Sequence, residues 1–250
     1  LSPDVQIDIV KNNSIPKVNV ENKIDNIAFT LNTGRNRDQW HTQTRTGKSS
    51  VLTNRHPEPE VSINPQDALL LGIKQDQLVT VSAVNTRLKG LNTPANKRQI
   101  IMRAKLTESV STKALFIPIH WSQSNFNQGS VSQLVEAKVD KISGQPAFKH
   151  SQVTIASCQT NSEALLVVKM PIKMLDVIYQ VEQKISGGYC YHLASNKSPE
   201  DLFVYLDNIV RSLESLNKPL DNLNASEPLK KYFRKSYLSK GQLQSAILVS

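Results

Sequence analysis

Leu31 to Ser49, LNTGRNRDQWHTQTRTGKS, brings Gly34, Arg35, Arg37, His41, Arg45 and Lys48 together with the hydroxyls of Thr33, Thr42, Thr44, Thr46 and Ser49. Residues of these types suit an anionic ligand. Hydroxyls and backbone N–H groups donate to phosphate or sugar oxygens, Arg offers a planar two-pronged fork, and Gly lets the backbone come close. A basic, Thr-rich loop can equally be a solvated surface, so the elements that carry it matter to the reading.

Other constellations are weaker. Gly47-Lys48-Ser49 ends like a phosphate-binding P-loop, but that pattern needs a glycine five residues before Gly47, where Thr42 stands. The histidines at 41, 56, 120, 150 and 192 show no metal-pair spacing, and Cys158 and Cys190 form no CxxC pair. No GxSxG elbow is present. Glu58 and Glu60 flank Pro59 and are expected to be solvated, and no pair of carboxylates stands out for acid–base work. His120-Trp121, just after Pro118, places a hydrogen-bonding ring and a large aromatic at a strand end, either as a rim group or as a rim residue beside a core Trp. No catalytic machinery is visible.

The strands that must position the loop follow from alternation. Ile27, Phe29 and Leu31 alternate ahead of it, as do Val61 and Ile63. Leu78–Val84, Ile100–Leu106 and Ala114–Ile119 are further apolar or β-branched runs between polar turns. One short helix is predicted between Asn64 as N-cap, Pro65 in the first turn and Gly72 as the stop. Short strands with one small helix predict a compact barrel over residues 25–157, behind an extended arm or linker at 1–24. Residues 125–152 read as irregular. From 160 the pattern changes to a smaller α+β domain running to 250. It has a strand at Leu165–Val168 and a hairpin of Val177–Ile185 and Tyr189–Leu193 about Gly187-Gly188. A helix opens at Ser198-Pro199, with Leu202, Phe203, Leu206, Ile209, Val210, Leu213 and Leu216 on one face and Pro219 at its end. A last hairpin, Tyr232–Leu238 with Gln242–Val249, turns at Gly241. The chain begins on Leu1 and stops on a bare apolar strand at Ser250, so it is expected to be a truncated piece of a longer protein.

The 250 residues carry a net charge of +9 and a pI of about 9.5, which favours an anionic partner: nucleic acid, a phosphate-bearing cofactor or an acidic neighbouring domain. A hydrophobic content of 39% can build a core, while no apolar run is long enough to span a bilayer. A basic nucleic-acid- or nucleotide-binding module without redox activity is the competing reading. Its weakness is an aromatic content of 6% with no RRM, KH or helix-turn-helix pattern.

Four motifs in order resemble one family. TGRNRDQWHTQTRTG at Thr33–Gly47, EPEVSINPQDALLLGI at Glu58–Ile73, ALFIPIHW at Ala114–Trp121 and DKISGQPAFK at Asp140–Lys149 resemble the C-terminal molybdopterin-dinucleotide-binding domain of assimilatory nitrate reductases. Those enzymes carry a bis-molybdopterin guanine dinucleotide and belong to the dimethylsulfoxide reductase family. The resemblance covers about Asn26 to Val153. It implies a mainly β fold, a double-psi β-barrel followed by the smaller α+β domain. It implies a cofactor site made of Thr33, Gly34, Arg35, Trp40, His41, Thr42, Thr44 and Arg45, with Ile119, His120 and Trp121 toward the pterin, and Ser132, Gln145 and Lys149. Ser132 stands where the family often has Asn; Asn36, Gln43, Asp76, Asn85 and Lys141 are further departures. The resemblance also implies a molybdenum enzyme that reduces nitrate to nitrite in the cytoplasm. Its [4Fe–4S] cluster would lie in a missing N-terminal part, its partners would be the rest of the same polypeptide and an electron donor, and this piece alone would be inactive. It assigns no catalytic residue and no metal ligand to this chain.

Overall fold

A computed structural model describes residues 27–84, 98–136, 138–173, 175–214, 221–227 and 232–250. The expected arm at 1–24, the turn at Asn85, and Leu216 and Pro219 lie outside them. Six strands close a barrel in the order β1-β5-β2-β4-β3-β6: β1 (Phe29–Gly34), β2 (Glu60–Ile63), β3 (Leu78–Ala83), β4 (Gln99–Leu106), β5 (Ala114–Pro118) and β6 (Ser151–Ser157). β1 runs parallel to β5 and β2 parallel to β4; every other neighbour is antiparallel. Exchanging β1, β2 and β3 with β4, β5 and β6 leaves this set of pairings unchanged. The barrel is therefore two interlocked halves of one pattern, as a double-psi barrel requires. The alternation read in the sequence points inward: Phe29, Leu31, Val61, Ile63, Val81, Ile100, Leu115, Ile117 and Val153 are buried.

Two short helices decorate the first half, α1 (Ser50–Thr53) and α2 (Pro65–Leu71). α2 follows its local signals. The Asn64 side chain accepts from Gln66 N at 2.9 Å, Pro65 occupies the first turn, and Gly72 closes the helix at φ 66°. Asp76 holds its turn at φ 62°, a region Asp enters more readily than most residues. α1 carries no apolar periodicity and is absent from the sequence reading.

The second sheet takes the order β10-β11-β12-β7-β9-β8, from β7 (Ser162–Val168), β8 (Tyr179–Ile185), β9 (Gly188–Ser195), β10 (Asp221–Glu227), β11 (Tyr232–Ser239) and β12 (Gln242–Val249). In β9, a Cβ on Gly188 would come within 2.4 Å of Val168 O, so only glycine fits there. Helix α3 (Pro199–Glu214) covers one face, burying Leu202, Leu206 and Val210 against Leu166, Tyr191, Leu193 and Ile247. The other face meets the barrel: Tyr179, Val181 and Ala194 join the barrel's own core with Phe126. The outer edge of β8 is paired as well, since Asn127 N donates to Gln180 O and Glu182 N to Asn125 O. The last strand is not bare, contrary to expectation. β12 lies inside the sheet between β11 and β7, and Glu163 and Ser250 exchange backbone hydrogen bonds of 2.9 and 3.0 Å. β10, sequence DNLNASE, is exposed throughout and carries no alternation from which it could be foreseen.

Strand direction positions the loops. β1 and β5 are parallel and in register at Gly34 and Pro118, so the segments that follow both leave by one end of the barrel. β6 starts from that end, with Ser151 opposite Leu31. Residues 35–59, 119–136 and 138–150 therefore open onto a single rim.

Candidate functional site

His120 ties the rim loop into a closed shape. Asn36 N donates to His120 Nε2 at 2.8 Å, and His120 Nδ1 donates to His41 O at 2.6 Å. The ring is fully buried, and that burial pushes its pKa below the ordinary histidine value, so it stays neutral with the proton on Nδ1. Both nitrogens are spent inside the protein, which leaves none for a ligand and makes His120 a staple of the loop. Trp121 is likewise a core residue, 4% exposed. Thr33 donates its hydroxyl to Phe148 O at 3.0 Å, and Lys149 Nζ donates to Thr33 O, latching the strand end to the 138–150 segment. At Gly34 a Cβ would meet the Phe116 ring at 2.5 Å; the glycine there makes room for packing. Ile119 is half-buried and donates its N–H to Gly34 O.

Beyond the staple the loop presents donors. Arg35, Trp40, His41, Thr42, Thr44, Arg45 and Lys48 are exposed. Trp40 is 57% exposed, stands edge-on to the His41 ring at 4.6 Å and has the Arg35 guanidinium 5.9 Å from its ring centre. The Thr42 and Thr44 hydroxyls lie 3.3 Å apart. His41 (φ 44°) and Gln43 (φ 64°) take left-handed backbone, which turns successive N–H groups outward. Among the described residues, the N–H groups of His41, Thr42, Thr44 and Arg45 have no protein acceptor, and no carboxylate pairs with Arg35, Arg45 or Lys48. The loop's one carboxylate, Asp38, is held by Arg55 at 2.8 Å and Arg37 at 3.4 Å. Gln43 Nε2 is buried without a partner. A surplus of unpaired donors and cations, with an orphaned amide beneath it, fits a polyanionic group such as a dinucleotide.

Two other rim segments carry the remaining predicted residues. Ser132 is exposed in a 3-10 turn and donates to Ser130 Oγ. Gln145 is exposed in a turn that Asp140 organises by accepting from Ser143 N, Ser143 Oγ and Ile142 N, bonds that hold its carboxyl below the usual range. Among the described residues neither Ser132 nor Gln145 is hydrogen-bonded to residues 35–49. No group of three or more His, Cys, Asp or Glu is placed to hold a metal ion among the described residues.

The expectation of a solvated Glu58 fails. Its carboxylate receives Arg103 Nε at 3.1 Å and Tyr179 Oη at 2.8 Å, and His192 Nδ1 lies 3.2 Å away. Arg103 also forks onto Glu163 at 2.7 and 3.1 Å. Burial opposes ionisation of Glu58, but the hydrogen bond and field of His192, the field of Arg103 and the Tyr179 hydroxyl outweigh it and hold the pKa at about 2. The cluster joins the barrel to the second sheet, and a cleft of about 320 Å³ opens beside it, lined by Glu58, Arg103, Glu163, His192 and Tyr232.

Residues 29–152 match the family described as the molydopterin dinucleotide binding domain. The chain is 29% identical to a nitrate reductase of Shewanella frigidimarina, across 71% of this chain and 20% of that protein. It is 31% identical to a nitrate reductase of Klebsiella oxytoca, across 70% of this chain and 19% of the other. It is 29% identical to the assimilatory nitrate reductase catalytic subunit of Bacillus subtilis, across 56% of this chain and 18% of the other. The chain spans about a fifth of the length of these relatives.

Proposed function

We propose, for a chain that belongs to the molydopterin dinucleotide binding domain family through residues 29–152, a role as the cofactor-holding C-terminal part of a molybdenum-dependent assimilatory nitrate reductase. The observation that carries the reading is the donor face of the rim loop: among the described residues, the N–H groups of His41, Thr42, Thr44 and Arg45 have no protein acceptor, and Arg35, Arg45 and Lys48 beside them have no carboxylate partner. These groups would hold the diphosphate of a guanine dinucleotide. The Trp40 face, Ile119, Ser132, Gln145 and Lys149 would complete the wall around the nucleotide and pterin. Thr33, Gly34, His120 and Trp121 would shape that wall from beneath. The bound group would supply the redox chemistry that turns nitrate into nitrite. This chain contributes binding, orientation and compensation of phosphate charge.

In this reading residues 25–157 make up the barrel and 160–250 an extension. The catalytic domains, a [4Fe–4S] cluster and the contact with an electron donor belong to the rest of the same polypeptide, in the cytoplasm. No helix among the described residues is long and apolar enough to cross a membrane.

The test is made on the native gene product, purified whole. Viologen-linked reduction of nitrate is expected, and R45A should lower both that activity and the guanine nucleotide retained by roughly tenfold or more, the scale of a lost charge-assisted pair. A product that oxidises formate and leaves nitrate untouched would overturn the substrate. An R45A protein with full nucleotide content would remove Arg45 from the site.

A further inference from the structure

The donor loop is not anchored by the barrel alone; its far end is gripped by the second sheet. Thr53, in α1, donates its hydroxyl to Lys184 O at 2.7 Å. Beside it, Gln183 Nε2 donates to Asn54 Oδ1 at 2.7 Å. Gln183 Oε1 accepts from His192 Nε2 at 2.9 Å, and the other nitrogen of that ring faces Glu58. From α1 the bonds lead back into the loop. Leu52 O accepts from Gln39 Nε2 at 3.3 Å, Gln39 Oε1 accepts from the Thr46 hydroxyl at 2.7 Å, and the same hydroxyl oxygen accepts from Trp40 N at 3.4 Å. Hydrogen bonds and chain neighbours thus connect the β8–β9 hairpin to Trp40.

Gln39 and Thr53 are each only 4% exposed, so water does not replace a broken link at no cost. α1 has four residues, far below the length at which a helix sustains itself, and its order must come from what holds it. We propose that the β8–β9 hairpin is a positioning element for the anion-binding loop, with Thr53 and Gln183 as the positioning residues through which it acts. The inference rests on the reading of that loop as a nucleotide site. A loop held in place before its ligand arrives spends less of the binding free energy on ordering.

Hydrogen exchange on the purified chain, alone and with GDP as the probe, tests this. The protein-bonded amides of Gln39, Gln43, Gly47 and Lys48 report the loop, and β4 and β12 serve as internal controls. In T53V, which keeps shape and loses the hydroxyl, loop amides are expected to exchange about five- to tenfold faster with β4 and β12 unchanged, and GDP to bind several-fold more weakly. T53S keeps the hydroxyl and should restore both. Q183A, which leaves Thr53 intact, should loosen the same amides should T53V fold poorly. Loop exchange unchanged in both T53V and Q183A overturns the proposal, as does loosening that T53S fails to reverse. A wild-type chain that binds no GDP overturns the nucleotide reading instead; the ligand-free exchange tells that failure apart from failure of the grip.

Discussion

At the residue scale, the side chains with the most perturbed surroundings hold the fold. Glu58 is the clearest case. A carboxyl held at about 2, against 4.5 for an ordinary glutamate, contributes on the order of 3 kcal/mol of stability near neutral pH. Its folded pKa is depressed, so the contribution is complete above about 4.5 and is lost as pH falls towards 2. Urea midpoints measured from pH 6 down to pH 2 should therefore decline in that window, and E58Q should flatten the decline; an unchanged slope in E58Q would remove Glu58 from the account. His120 makes the same point. The sequence places a histidine at the end of β5, but its bonds go to Asn36 and His41, about 80 residues away, and composition cannot reveal them. Glu58 is illegible for the same reason, since its partners stand 45 and 121 positions along the chain. That Arg35, Thr42, Thr44 and Arg45 are exposed was legible because a polar, charged loop displays its residue types in local sequence.

At the scale of elements, legibility followed locality. α2 was readable because Asn64, Pro65 and Gly72 mark both of its ends, and the barrel strands were readable from their alternation. β10 was not, because DNLNASE buries nothing and its place is set by pairing with β11. The packing of α3 on its sheet contains a polar centre that no periodicity predicts. Asp207 receives Lys235 Nζ at 2.8 Å, Arg211 Nε at 2.9 Å and the Tyr237 hydroxyl. Burial opposes its ionisation, and the bonds from Lys235, Tyr237 and Arg211 outweigh that and lower its pKa. Lys235 is 5% exposed, so D207A would leave a buried, unpaired ammonium at a cost of about 3–5 kcal/mol. The double variant D207L/K235M should recover most of that loss in a chemical-denaturation experiment. A D207A midpoint equal to wild type would show that the lysine reaches water by another route.

At the scale of the whole molecule, two sheets share one structure. The barrel contributes parallel strands that aim two loops at one rim, and the second sheet contributes Tyr179, Val181 and Ala194 to the barrel core and a grip on α1. The net charge of +9 finds one use in the rim loop, where Arg35, Arg45 and Lys48 have no carboxylate partner among the described residues. The measurement that tests the central claim most directly is the content of the native gene product, isolated whole: molybdenum by elemental analysis and guanine nucleotide by mass spectrometry of what denaturation releases. The account predicts about two guanine nucleotides per molybdenum, the ratio of a bis-dinucleotide cofactor. A native product with neither molybdenum nor guanine nucleotide would contradict it.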